Sequence, residues 1–218
     1  MGILRTDIVS HSQLEGTGSV VFDGVGDYLT FAADNAFTAG SADVTFELWV
    51  YLTDSTDLSS GNYYLCDMGS NGYRFQIYNS QLYFGVSGSD YVGPISNAIS
   101  INTWHHLAGV RDGNALKLYV DGVLEGSGNA NQTLDYSGLQ NNYPFIGGAD
   151  PNHENFIGKI DEVNIWNTAL NPSQISELHS CSPLTNSPGL IGKWDLNEGS
   201  GNTAFDLVNS NNGPINGA

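Results

Sequence analysis

The sequence predicts an all-β protein: an antiparallel β-sandwich jelly roll with one short helix near the C-terminus. Three observations carry this. Apolar residues recur with period two over most of the chain. Glycine-containing turn pairs separate the alternating runs. Helical spacing of apolar residues is scarce. A dozen short strands with almost no helix bury their cores between two facing sheets.

The elements follow in chain order. Val44, Phe46, Leu48, Val50 and Leu52 alternate with Thr45, Glu47, Trp49 and Tyr51. Phe75 and Ile77 alternate with Arg74, Gln76 and Tyr78. Leu82, Phe84 and Val86 alternate with Gln81, Tyr83 and Gly85, and Leu116, Leu118 and Val120 with Lys117, Tyr119 and Asp121. Each run reads as a half-buried strand. Asp23-Gly24, Gly26-Asp27, Asn71-Gly72, Asp112-Gly113-Asn114 and Asp121-Gly122 read as turns, because Asp, Asn and Gly tolerate positive φ. A short helix is expected over 171–179, with Asn171 as N-cap, Pro172 at the first helical position, and Ile175 and Leu178 on one face. Its expected role is packing. A loop over 180–189 and a strand placing Leu190, Trp194 and Leu196 on one face close the chain. The expected organisation is an N-terminal extension over 1–15 and a single domain over 16–218, with 182–218 returning onto it.

The outer faces carry many large polar aromatics: Trp49, Tyr51, Tyr78, Tyr83 and Tyr119. They either cover the sandwich or form a concave surface that stacks on sugar rings.

The 218 residues hold 23 Asp+Glu against 6 Lys+Arg, a net charge of −17. Phosphate binding needs clustered cations, so a nucleic-acid partner is excluded. An anionic membrane surface is excluded for the same reason. No segment approaches the roughly 20 apolar residues of a membrane helix. Residues 1–13 lack the apolar core of a secretory signal, and MGILRT is only a weak myristoylation match. Cys66 and Cys181 could form one disulfide, although Cys66 lies in an apolar run and reads as a buried thiol. Asn131-Gln132-Thr133 is a glycosylation sequon, with meaning only in a secreted eukaryotic chain.

Four segments together resemble the laminin-G-like group of concanavalin A-like jelly rolls: SVVFDGVGDYLTF (19–31), DVTFELWVYL (43–52), TWHHLAGVRDGNALKLYVDGVLEGSG (103–128) and FIGKIDEVNIWNTALNPSQI (156–175). Order and spacing match as well. The closing GLIGKWDLNEGSGNTAFDLVNSNNGPINGA looks like the segment that usually opens such a domain, and is expected to fold back as a permuted edge strand. The opening MGILRTDIVSHS, combined with such a domain, resembles marine bacteriophage virion proteins. That implies a virion-surface or tail-associated location, with a glycan or host-surface ligand, other virion proteins as partners, and oligomers as an option.

Enzymes share this fold. Its retaining glucanases place acids at i, i+2 and i+4 on one strand, so that two carboxyls lie about 5.5 Å apart. No strand here has that pattern, and the adjacent Asp161 and Glu162 are expected on opposite faces. A lyase would need His, Tyr and Arg or Gln together, which His105, His106, Arg74, Gln76 and Tyr78 could supply. WHHLAGVR matches the non-catalytic group instead, and neighbouring His105 and His106 do not have zinc spacing. The resemblance implies a structural calcium held by Asp23, the Gly24 carbonyl and Asp161, with further oxygens from carbonyls and water. A second resemblance, to the pentraxins, implies a ligand-binding loop site with Asp67, Asn71, Asp150, Asn152 and Glu154, although Asp67 and Asn71 are not adjacent as a pentraxin pair is. The expectation is a non-enzymatic carbohydrate-binding or adhesion module. The alternative is a purely structural virion protein, with a polysaccharide hydrolase or lyase behind both.

Overall fold

Alternation along each strand sorts the side chains into an inner and an outer set, and the inner sets of two sheets meet. The computed structural model describes residues 18–31, 43–53, 62–68, 72–86, 90–96, 99–131, 145–148, 156–182, 184 and 188–217. In chain order its elements are β1 (Val20–Asp23), β2 (Tyr28–Thr30), β3 (Val44–Leu52), β4 (Asn62–Asp67), β5 (Tyr73–Tyr78), β6 (Gln81–Val86), β7 (Asp90–Ser96), β8 (Trp104–Asp112), β9 (Ala115–Val120), β10 (Val123–Asn129), β11 (Phe145–Ile146), β12 (Ile157–Trp166), α1 (Pro172–His179), β13 (Leu190–Trp194), β14 (Thr203–Ala204) and β15 (Gly213–Asn216).

The first sheet has the order β1-β12-β3-β8-β9-β10, with β13 also on β12. The second has the order β14-β15-β2-β11-β4-β5-β6-β7. All strand pairs are antiparallel, so the jelly-roll expectation holds. The core between the sheets is built from the predicted inner sets, among them Leu48, Val50, Phe75, Ile77, Phe84, Leu107, Leu116, Leu118 and Ile160. Asp121 and Gly122 have φ of 50° and 76° and close the β9–β10 hairpin in two residues.

β3 departs from the half-buried expectation, because its outer face is covered too. The cover is α1. Asn171 caps it by accepting from the backbone N–H groups of Ser173 and Gln174, while the Gln174 side chain accepts from the Asn171 N–H. Ile175 and Leu170 then form a second small core with Val110, Tyr119 and Trp166 on the outer face of the first sheet. Thr45 ties the approach to this helix, donating to the Thr168 carbonyl and accepting from the Leu170 N–H.

The C-terminal segment supplies strands to both sheets. β1 pairs with one half of β12 (157–160), and β13 pairs with the other half (163–166) of that same edge. β15 pairs with β2, joining Ile215 to Leu29. Trp194 is fully buried and stacks on Phe31 at 4.0 Å between ring centroids. Asp206 fastens the loop between β13 and β15. Its carboxylate accepts four backbone N–H groups, from Lys193, Val208, Asn209 and Asn211.

Candidate functional site

Among the described residues no helix lies on the outer face of the second sheet. The register of β4, β5 and β6 sets Tyr64, Gln76 and Tyr83 side by side across it. In the next row Asp67 lies opposite Arg74, and Arg74 opposite Gly85. Asp67 grips Arg74 at two points, each 3.1 Å long. A bidentate carboxylate fixes the guanidinium plane, and Arg74 lies 4.9 Å over the Tyr64 ring. Burial alone would lower the Arg74 pKa, but the charge and hydrogen bonds of Asp67 raise it, so this cation is permanent.

Two tyrosines on this face pack against glycines of the neighbouring strand. Tyr91 sits opposite Gly85, and a Cβ at Gly85 would come within 2.8 Å of the Tyr91 ring. A Cβ at Gly93 would come equally close to the Tyr83 ring. Each ring therefore packs against a bare glycine of the neighbouring strand. The two rings meet edge to face at 6.4 Å. The Tyr83 hydroxyl donates to Gln81, and Tyr78 extends the strip at 45% exposure. Partly exposed rings beside a fixed guanidinium can stack on a sugar and bond its hydroxyls.

The five aromatics expected on outer faces do not share one surface. Tyr78 and Tyr83 lie on the open sheet, whereas Trp49 and Tyr119 are buried beneath α1 on the other. Tyr51 lies at the end of β3, with Trp104 beside it and Lys159 over its ring. Tyr91 was not among the expected residues. Its signal was available: Tyr83-Phe84-Gly85 and Tyr91-Val92-Gly93 repeat Tyr-x-Gly on two antiparallel strands.

The expected calcium residues are not all brought together. In the β1–β12 register Asp23 faces Ile157, and Asp161 lies four residues further along β12. At the strand rise, that is about 13 Å, too far for one cation. Asp161 is buried in the sheet and its Oδ1 accepts the Glu162 N–H. Asp23 instead stands in a turn with Asp27, whose carboxylate accepts the Asp23 N–H at 2.6 Å. Burial pushes the Asp27 carboxyl up, and the Asp23 charge adds to the rise. Among the described residues no three His, Cys, Asp or Glu side chains gather as metal ligands. Asn71, Asp150, Asn152 and Glu154 lie outside the described residues, so Asp67 alone represents the loop-site expectation, and it is engaged with Arg74.

The lyase set is divided by the fold. Arg74, Gln76 and Tyr78 belong to the second sheet, His105 and His106 to the first. His105 accepts the Ser100 N–H at Nε2, so Nδ1 carries the hydrogen that Asp121 receives at 2.8 Å. Burial would raise the Asp121 carboxyl, but His105 and the His106 N–H outweigh it and hold it below its ordinary value. His106 turns outward and meets Glu47. Asp161 and Glu162 also break the expectation of opposite faces. β12 bulges between Asp161 and Asn164, with Glu162 at φ 48°, and both acids come to the outer side with Asn164. Cys66 and Cys181 are both free thiols.

Two antiparallel sheets packed face to face, with one short helix on the first, define a β-sandwich jelly roll. A laminin G family model, described as "Concanavalin A-like lectin/glucanases superfamily", matches residues 23–176. The chain belongs to this family. A curated relative is the "Sushi, von Willebrand factor type A, EGF and pentraxin domain-containing protein 1" of Rattus norvegicus, 29% identical over 163 residues. That match covers 69% of this chain and 4% of the relative, so the chain spans only a small part of it. Among solved structures, a Bacteroides ovatus protein proposed to bind carbohydrate aligns with a TM-score of 0.71 at 18% identity, covering 92% of this chain and 59% of that one. A heptameric pentraxin from Limulus polyphemus aligns at 0.59 and 16%, covering 91% and 95%. The CBM40 of the Ruminococcus gnavus IT-sialidase, bound to α2,3-sialyllactose, aligns at 0.59 and 12%, covering 74% and 96%. At these identities the structural likeness establishes the fold. No described helix is long and apolar enough to cross a membrane.

Proposed function

We propose that this chain is a non-enzymatic carbohydrate-recognition module that takes glycans on the open face of its second sheet. The observation that carries the reading is the pair of partly exposed rings, Tyr83 and Tyr91, each packed against a glycine and meeting edge to face near the pinned Arg74. The carbohydrate-binding neighbours support it. The resemblance of residues 1–12 to phage virion proteins supports a place on a virion surface or tail, facing a host glycan.

A glycan array with the wild-type chain and with the Tyr83→Ala/Tyr91→Ala double variant tests the reading. The wild type is expected to bind, and loss of both rings to weaken it by about tenfold or more, from stacking worth ~1 kcal/mol per ring. A wild type that binds no glycan would leave the chain a structural brick. Equal binding by the variant would move the site elsewhere.

Calcium remains part of the proposal in altered form. Asp23 and the Gly24 carbonyl are joined by Asp27, not Asp161, and backbone carbonyls and water supply the remaining oxygens. A cation that binds only the folded chain raises its melting temperature. The melt is therefore expected to rise in calcium relative to EDTA, and to lose that rise in Asp27→Asn. Coincident melts of the wild type would remove calcium from the proposal.

A further inference from the structure

A second concavity lies on the opposite side of the molecule, between α1 and the outer face of the first sheet. It encloses about 450 Å³, within the size range of small-molecule sites. We propose that this cavity binds an amino sugar, a hydroxylated ring carrying a protonated amine.

The charge comes first. Glu47 and Glu162 both line the cavity, with Lys193 as the cation beside them. Lys193 lies 2.9 Å from Glu162 and offsets that carboxylate. Glu47 has no such partner. Its two oxygens receive the Asn164 amide at 2.7 Å and His106 Nε2 at 2.9 Å. A carboxylate only accepts, so Nε2 carries the hydrogen. The other His106 nitrogen, Nδ1, is buried with no partner, which fits the neutral ring, where it bears no hydrogen. The cavity thus holds an excess negative charge in a weakly solvated place. Glu162 responds to the same field. Burial raises its pKa, Lys193 opposes the rise, and Asp161 and Glu47 add to it, leaving the carboxyl above its ordinary value. A ligand ammonium would relieve both acids.

The walls specify the rest of the ligand. Trp49 and Trp166 line the cavity, and each residue is at least 95% buried. Their indole rings make this wall apolar and aromatic, with Trp49 stacked on His179 behind it, which suits the C–H face of a sugar ring. The Trp166 indole N–H is buried and meets no acceptor among the described residues, and a small shift of the ring would present it to a ligand hydroxyl. Lys193 can donate to a second hydroxyl. Glu47, 2% exposed, acts from the floor through its charge, while the Glu162 side chain, 21% exposed, meets the amine directly. The bulge in β12 makes this site, because it brings Glu162 to the side of Glu47.

This site is separate from the tyrosine face, and the test keeps the two apart. D-glucosamine, D-glucose and N-acetyl-D-glucosamine are titrated calorimetrically into the full chain at a pH where the free amine is protonated. Glucosamine is expected to bind at least about tenfold more tightly than the two neutral sugars, the size of one charge-assisted contact. Glu162→Gln and Glu47→Gln are each expected to abolish that preference, and Tyr83→Ala/Tyr91→Ala to leave it unchanged. Equal affinity for the three sugars, no binding of glucosamine, or a preference that survives Glu162→Gln overturns the proposal. The Glu162 variant keeps the test open should Glu47→Gln fail to fold.

Discussion

Asp206→Ala is expected to detach the C-terminal segment and to lower stability by about 4 kcal/mol, since hydrogen bonds to a charged group contribute ~1.5–3 kcal/mol each and the freed N–H groups partly recover water. Four backbone N–H groups converge on this one carboxylate. One of them belongs to Lys193 in β13, and the others to the loop that leads on to β15. The residue is 7% exposed, so little solvent competes for these bonds. For a domain of this size, 1 kcal/mol moves the melting temperature by about 2–4 °C, giving a fall of roughly 10 °C. Thermal melts measure the fall, and amide exchange locates it: protection should vanish first at Ile215 and Asn216. A shift below about 2 °C, or uniform loss of protection, would show that the carboxylate is not the fastener.

Glu47→Ala is expected to cost about 3–5 kcal/mol, since buried donors left without their acceptor cost ~1–3 kcal/mol each and the void adds to the loss. It strands His106 Nε2 and one hydrogen of the Asn164 amide, whose other hydrogen stays on the Glu162 carbonyl, and leaves a void beside Trp49. Glu47→Gln retains an acceptor for one donor and nearly the same volume, so it should lose far less. Urea unfolding separates the two, with an unchanged m-value showing that stability and not compactness has moved. Equal losses for the Ala and Gln variants would mean that the charge, and not the bonds, holds this cluster.

The strands were legible in the sequence where one side of an element decides its fate. β5 and β9 bury the predicted sets and β6 buries Leu82 and Phe84, since period two is a property of the strand itself. The Asp121-Gly122 turn was readable from its residue types. The β5–β6 turn was not, because Asn79 and Ser80 take φ of 50° and 60° without a glycine to announce it. α1 and its cap were readable from Asn171 and Pro172. What α1 covers was not, because burial of Trp49 and Tyr119 depends on where a helix over 120 residues downstream of Trp49 comes to rest. Most of the site belongs to this second kind. Asp23 and Asp161 separate because register places them so, and Asp161 and Glu162 share a side because the bulge interrupts alternation. The tyrosine pair was legible only as a repeat across two strands, not as a property of either one.

The edge of β12 shared by β1 and β13, and the seat of β15 on β2, also set a clock. Leu29 finds its partner Ile215 only after the long stretch between them has been made. At synthesis rates of ~5–20 residues per second, β2 waits roughly 10–40 s on the ribosome with that edge unpaired. Closing so long a loop makes assembly slow in any setting. The nascent sandwich is therefore open longest along β2 and the far half of β12, and chaperone capture or strand exchange between copies would begin there.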